Sequence, residues 1–436
     1  MTNVIQHPSS GAIRTFLGHS VRTGEASYRS LERLYAENRL PVSSVIVDAS
    51  KVRHQREFIN TLIEDKVEVV LDTKCAELSA LGRFGGYARG APWHVADSVR
   101  PLSAVDFRPG SSKSVFGPIA DYAIEIGAHA IHSPSHFLSA GVLDPWFDID
   151  IASLLALRSR LDQEGRYDVS IDYLLMMPSK LIQDEIHQKY LLQRLSGLPF
   201  DNLVIRLSGF GSDATAAKMK RVFIALRRLH ALDKPIVLDH VGGLVAQSAL
   251  AFNVVSGIAN GVGERARFDA TTWNKKPPTK SESNFRGRAL FIPIPGLDRS
   301  FKKSELELML ATRGSRRKLA CHDRECCGPQ GLAYLRGEHK AHISRQMAGS
   351  INAISHVPNR HRAGHFMNNE IRLAERRARE LEGLVTDNES INTRLSAARK
   401  RIDSFSRTLE TMIDEPQQSA LPPSISVRGN YLRRPA

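Results

Sequence analysis

Short apolar runs separated by helix-sized intervals constrain this chain more than any other feature. They are SVIVDASK (44–51), VEVVLDTK (67–74), AHAIHSPSHF (128–137), YDVSIDYLLMM (167–177), NLVIRLSGF (202–210), PIVLDHVGG (235–243), FNVVSGIANG (252–261) and ALFIPIPG (289–296). Between them lie segments with apolar residues at helical spacing, such as Arg53 to Asp65, Ile151 to Glu164 and Ala214 to Ala231. Strands apolar on both faces that alternate with helices build a parallel sheet covered on each side. Eight runs is the number that closes a (βα)8 barrel, so the expected class is α/β with a TIM-barrel core. No GxGxxG opens a helix after the first run, which disfavours a dinucleotide fold. At 436 residues the chain exceeds what one core usually supports. It divides into a lead over 1–40, the barrel over 41–310, a Cys/His module over 311–370, a coiled-coil-like helix over 371–415 and a disordered Pro-rich tail over 416–436.

Barrels of this kind carry their chemistry at the C-terminal ends of the strands. Asp48, Asp72, His132, Arg206 and Asp239 fall at or near such ends, and as a set they mark one mouth as the candidate site. Each alone would serve equally well as a loop cap or a buried ion-pair partner. Trp93 and Trp146 fall in loops near the same mouth, where stacking on a base or covering the barrel edge are both open to them.

The cysteines point to a second centre. Four in the whole chain are too few for a disulfide scaffold, and Cys321, Cys326 and Cys327 crowd together in KLACHDRECC. Three thiols followed by His339, His342, His356, His361 and His365 offer the tetrahedral shell of a structural Zn2+. His322 is a further donor, and reduced core cysteines are the alternative. Cys75 reads as a small hydrophobe. The thiols suggest a reducing compartment, hence a cytoplasmic protein, and no run of 18 apolar residues suits a membrane span.

Past residue 370, apolar residues at Leu381, Leu384, Ile391, Leu395, Ala398, Ile402, Phe405, Leu409 and Met412 keep a heptad-like spacing with Asn388 at one a position. This suits a homodimer through the helix, a helical hairpin, or a helix packed back on the barrel. The net charge of +14 favours a polyanion such as nucleic acid as partner, and the runs 313–318, 360–362 and 376–379 place basic residues around the cysteine module.

The stretch from DNLVIRLSGFGSDATAAKMKRVFIALRRL through KPIVLDHVGGLVAQSALAFNVVSGI, followed by the cysteine segment and the helix containing His365, resembles the late half of the tRNA-guanine transglycosylase superfamily. The likeness spans roughly 40–380, in a divergent bacterial branch. It implies a TIM barrel with a zinc site of three Cys and one His, here Cys321, Cys326, Cys327 and His365, with His342 as the alternative fourth ligand. It implies a pentosyltransferase that exchanges guanine or a 7-deazapurine base in tRNA or DNA. Asp72 occupies a place similar to the family's proton-transferring Asp. Arg206, Ser208, Gly209, Gly211, Gly242 and Gly243 are implied at the substrate, the Gly-rich turn offering backbone N–H groups to a planar base. Arg206 and Arg265 are candidates to hold a phosphate or base edge.

One departure matters. Where the family carries its nucleophilic Asp, this sequence reads FNVVSGIANG, with Asn253, Ser256 and Gly257 and no carboxylate. Covalent base exchange needs a carboxylate at the anomeric carbon and a second group for the proton. Asp239, one strand earlier, is the candidate replacement. Without it the chain becomes a catalytically inactive barrel that binds nucleic acid or a partner.

Overall fold

The computed structural model describes residues 17–414, apart from 26, 95–99, 263–265 and 276–289. Arg265, the first sixteen residues and the 416–436 tail lie outside the described residues. Eight parallel strands close a barrel: β1 Gly18–Arg22, β2 Ser44–Asp48, β3 Glu68–Asp72, β4 Ala130–His132, β5 Ser170–Pro178, β6 Leu203–Ser208, β7 Ile236–Asp239 and β8 Gly257–Gly261. Closure is made by β1 against β8, in register from Gly18 opposite Gly257 to Arg22 opposite Gly261.

Seven of the eight apolar runs supply barrel strands. The last does not: Phe291–Ile294 forms β9 of an antiparallel hairpin with β10, Arg299–Lys302. The missing strand is β1, which precedes the expected barrel start at residue 41. GHSVR escapes an apolar pattern because Ser20 and Arg22 belong to polar layers of the interior, while its Val21 joins the outer core.

Residues alternate between two cores along each strand. Val45, Val47, Val69, Leu71, Leu175 and Ile205 join the shell between sheet and helices. Ile46, Val70, Ala130, Leu174, Met176, Val204, Val237 and Ala259 form a separate cluster inside the barrel. Being buried on both faces explains why the strands read as continuous apolar runs. The expected helices occur at Arg56–Glu64, Trp146–Gln163 and Ala216–Arg228, the last capped by Thr215, whose side chain accepts from Lys218 N.

The C-terminal stripe is consumed within the chain. Helices Arg372–Glu382 and Glu389–Asp414 pack on each other, and the second also packs on the barrel helix Ala216–Arg228. Ile391, Leu395, Ile402, Phe405 and Leu409 are buried there. Asn388 is no register residue in a continuous coil. It sits in the break between the helices, where its Oδ1 accepts from Ile391 N at 3.2 Å.

Candidate functional site

Inward alternation on β1, β2, β3, β6 and β7 brings Arg22, Asp48, Asp72, Arg206 and Asp239 to one level at the C-terminal end of the barrel. Arg22 forks onto Asp239, with Nε 2.9 Å from Oδ1 and Nη2 2.7 Å from Oδ2, and its Nη1 reaches Asp72 Oδ2 at 2.7 Å. Arg206 bridges the same two carboxylates, Nε to Asp239 Oδ2 and Nη2 to Asp72 Oδ2, both at 2.6 Å. Lys74 Nζ joins Asp48 at 3.0 Å, Glu77 at 3.1 Å and Asp72 at 3.3 Å. Asp72, Asp239, Arg206, Arg22 and Lys74 are all buried.

Three cations thus face four carboxylates in one largely buried layer. Burying an unpaired charge is prohibitive, so the layer persists only because nearly every charge has a partner. Burial alone would raise the Asp72 and Asp239 carboxyls. The neighbouring cations outweigh it, Arg206 and then Lys74 and Arg22 at Asp72, Arg22 and then Arg206 at Asp239, and hold both well below the usual carboxylate range. Asp48 goes the other way, raised by burial that Lys74 offsets only in part. Burial lowers His132 and His240 to about 3, so both imidazoles are neutral. The layer therefore separates two fixed anions from one carboxyl readier to carry a proton, the division of labour that acid–base chemistry requires.

Backbone strain sits beside both aspartates. Lys74, two residues after Asp72, has φ +58°, and His240, next to Asp239, has φ +60°. Left-handed backbone is costly for residues with a Cβ and accumulates at functional sites. His240 N spends its hydrogen on Asp239 Oδ1 at 2.8 Å, and Lys74 N on Asp72 Oδ1 at 3.1 Å.

Next to the layer, with Phe268 5.9 Å from the His240 ring, lies an aromatic cover that the sequence pattern did not announce. Phe268 and Trp273 meet edge to face at 5.3 Å, and Phe137 lies 6.2 and 6.1 Å from them. This cover alters the role of the Gly-rich turn. Gly209 N donates to Phe268 O, Ala270 N donates to Ser208 Oγ, and a Cβ on Gly211 would stand 2.5 Å from Ala266 O. Ser208, Gly209 and Gly211 therefore seat the segment after β8 instead of offering free N–H groups to a base. Gly242 and Gly243 open the helix Gly243–Ala251, where a Cβ on Gly243 would meet Asp298 Oδ1 at 2.0 Å. The two loop tryptophans also serve elsewhere. Trp93 is buried in the outer core with Nε1 on Thr73 O, and Trp146 stacks on His136 at 3.7 Å.

At the end of β8, Asn260 confirms the absence of a carboxylate; its Oδ1 faces His19 Nε2 at 2.9 Å, outside the charged layer. Arg22, Lys74 and Glu77 are members of the layer that sequence reasoning missed. Lys74 had a signal, since it ends the same run as Asp72.

The thiols assemble with His342, not His365. Ligand atoms of Cys321, Cys326, Cys327 and His342 all lie within 4.8 Å of one another, and all four residues are buried. His342 Nδ1 stands 3.2 Å from Cys326 Sγ and 3.3 Å from Cys327 Sγ, with 3.9 Å between those sulfurs. A tetrahedron with about 2.3 Å metal–sulfur bonds has edges of roughly 3.8 Å, so the donor set fits a closed four-coordinate metal ion. Hydrogen bonding within the trio pushes the Cys321 thiol far below its ordinary value, while its bond to Cys321 pushes Cys326 up to about 12. The lowered group is Cys321 alone, and a thiolate is the form a metal binds. The geometry is reached because Asp323 caps the turn, accepting from Glu325 N and Cys326 N, so the adjacent cysteines enter as one short helical turn. His365 lies on another helix, with Nδ1 3.0 Å from Asn369 Nδ2, and His322 is exposed.

No family model matches this chain, and no curated protein matches it. Among solved structures it is similar to a GH26 beta-mannanase from Bacteroides ovatus, at 12% identity and a TM-score of 0.36 over 57% of this chain and 81% of that one. No described helix is long and apolar enough to cross a membrane.

Proposed function

We propose that the barrel is a glycosyl-transferring enzyme of the base-exchanging type, acting on tRNA or DNA with guanine or a 7-deazapurine as the incoming base. One observation carries this reading: the strand-end carboxylates Asp72 and Asp239 converge on a shared pair of guanidiniums at the barrel mouth. Asp239, fixed as the anion, is the nucleophile. It attacks the anomeric carbon, the glycosidic bond breaks toward the departing base, and a proton reaches that base from Asp48. The incoming base then displaces the Asp239 ester and returns its proton to Asp48, which restores the acid for the next cycle. Attack requires Asp239 to release at least its Arg206 contact, so substrate entry and opening of the ion pairs are coupled. Zn2+ in the Cys3His group would be structural, with no open coordination position and no part in these steps.

The basic runs support a polyanionic partner. Arg313, Arg316 and Arg317 are exposed, as are Arg376 and Arg379, and the two segments meet where Arg377 Nη2 donates to Lys318 O. Arg362 does not belong to that surface, being fully buried with Nε on Val357 O. Incubation with labelled guanine and either tRNA or DNA tests the reading. Label should enter one polymer, and Asp239→Asn should abolish incorporation while leaving polymer binding intact. A second reading, a catalytically inactive barrel that binds nucleic acid, is favoured by Asn260 at the end of β8; absence of exchange with both polymers, with binding retained, would select it.

A further inference from the structure

A cleft of about 700 Å3 separates the barrel rim from the Cys/His module, away from the charged layer. Its walls come from the helix Gly243–Ala251, the helix His339–Ser355 and the β9–β10 hairpin. The helix containing His365 leads into a π-helical turn, Met367–Ile371, that presents Glu370 to the cleft. π turns are rare and gather at functional sites, because the extra residue re-aims a side chain.

One polar group here has no structural reason that the fold supplies. Gln247 is more than nine-tenths buried and lines the cleft, yet its Oε1 has no hydrogen-bond partner, and its Nε2 faces only Met347 Sδ at 3.8 Å. A buried acceptor left unpaired is costly, and a ligand donor would remove that cost. Glu370 stands in the same cleft, its carboxyl raised by burial that His365 and Ser350 only partly offset. Around them Ile343, Met347, Leu373 and Pro295 provide apolar faces. Apolar faces with a few convergent polar groups are the usual form of a small-ligand pocket.

We propose that this cleft is a second binding site, one that takes a planar nitrogen heterocycle of nucleobase size bearing an amino group, with Gln247 Oε1 and the Glu370 carboxyl receiving its N–H edge. The site is independent of the aspartate chemistry at the mouth. The ligand is either a free nucleoside or an unpaired base within a strand; the recognition chemistry is the same.

The experiment is equilibrium dialysis of the full chain against labelled guanosine, adenosine, cytidine and uridine. One equivalent of an amino-bearing nucleoside should bind, more tightly than uridine. Gln247→Leu should weaken it about three- to tenfold, the effect of one hydrogen bond, while the melting temperature holds or rises because an unpaired acceptor has gone. Displacement by a single-stranded oligonucleotide would assign the ligand to a strand, and retention would assign it to the free nucleoside. Absence of binding up to millimolar concentration, or equal binding by wild type and Gln247→Leu, overturns the proposal. A photoactivated azidonucleoside on the wild-type chain should label peptides within 291–300 or 343–350. Labelling confined to the strand-end loops of the mouth would overturn it without recourse to any variant.

Discussion

Replacing Arg206 with Met is the sharpest test of the charged layer. Met keeps much of the volume and lies where Arg206 already touches Met176, Nη1 to Sδ at 3.7 Å. The substitution removes two charge-assisted hydrogen bonds of 2.6 Å, one to Asp72 and one to Asp239. At about 1.5–3 kcal/mol for each bond to a charged group, the loss is roughly 3–6 kcal/mol, in line with about 3–5 kcal/mol for breaking one partner out of a buried pair. Both aspartates keep Arg22, and Asp72 keeps Lys74, so the barrel should still fold. The pH dependence carries the argument. In the wild type both folded pKa values are depressed, so their contribution is complete above the unfolded value near 4 and is lost as pH falls through the folded values. Without Arg206 the folded values move up, so the deficit against wild type should be full at pH 7 and shrink below about pH 4. Urea unfolding followed by tryptophan fluorescence at several pH values measures this. A deficit under about 1 kcal/mol, or one that does not change with pH, would refute the reasoning.

Other expectations follow from single contacts. Purified protein should hold about one zinc per chain by elemental analysis; His342→Ala should lose it, and His365→Ala should keep it. Gly243→Ala should cost about 1–3 kcal/mol in thermal melting, since the residue has φ +60° and the new Cβ would strike the Asp298 carboxylate that holds Arg401 at 2.8 Å.

The barrel was legible because strands buried on both faces must be apolar throughout, and seven such runs became strands. β1 was not, because its interior positions, Ser20 and Arg22, are polar for reasons that exist only once eight strands meet. Asp72 and Asp239 were legible as strand-end carboxylates, whereas their shared dependence on Arg22 joins residues more than two hundred positions apart. The cysteines announced a metal-type cluster by proximity. Which histidine completes it was decided by helix packing, since His342 faces the turn at Cys326 and Cys327 while His365 turns toward Asn369. The Gly-rich turn shows the converse error: glycine marks close backbone approach, and here the approaching group is the chain's own segment after β8.

The two centres are mechanically joined through the strand that sequence reasoning overlooked. The helix Tyr28–Ala36 follows β1, and the residues in and just beyond it clasp the Cys/His module: Arg33 Nη1 donates to Glu338 at 3.1 Å, and Arg39 donates to the carbonyls of Glu325 and Cys326. Those carbonyls belong to the turn whose shape the metal would fix. Removing the metal should loosen that turn, release Arg39 and weaken the seat of β1, which delivers Arg22 to both aspartates. Amide hydrogen exchange before and after chelation reads this directly. Faster exchange over 18–39, with little change over 170–178 on the far side of the barrel, is expected. Exchange that rises only within 319–356 would show that the module is held apart from the barrel and that the charged layer does not depend on it.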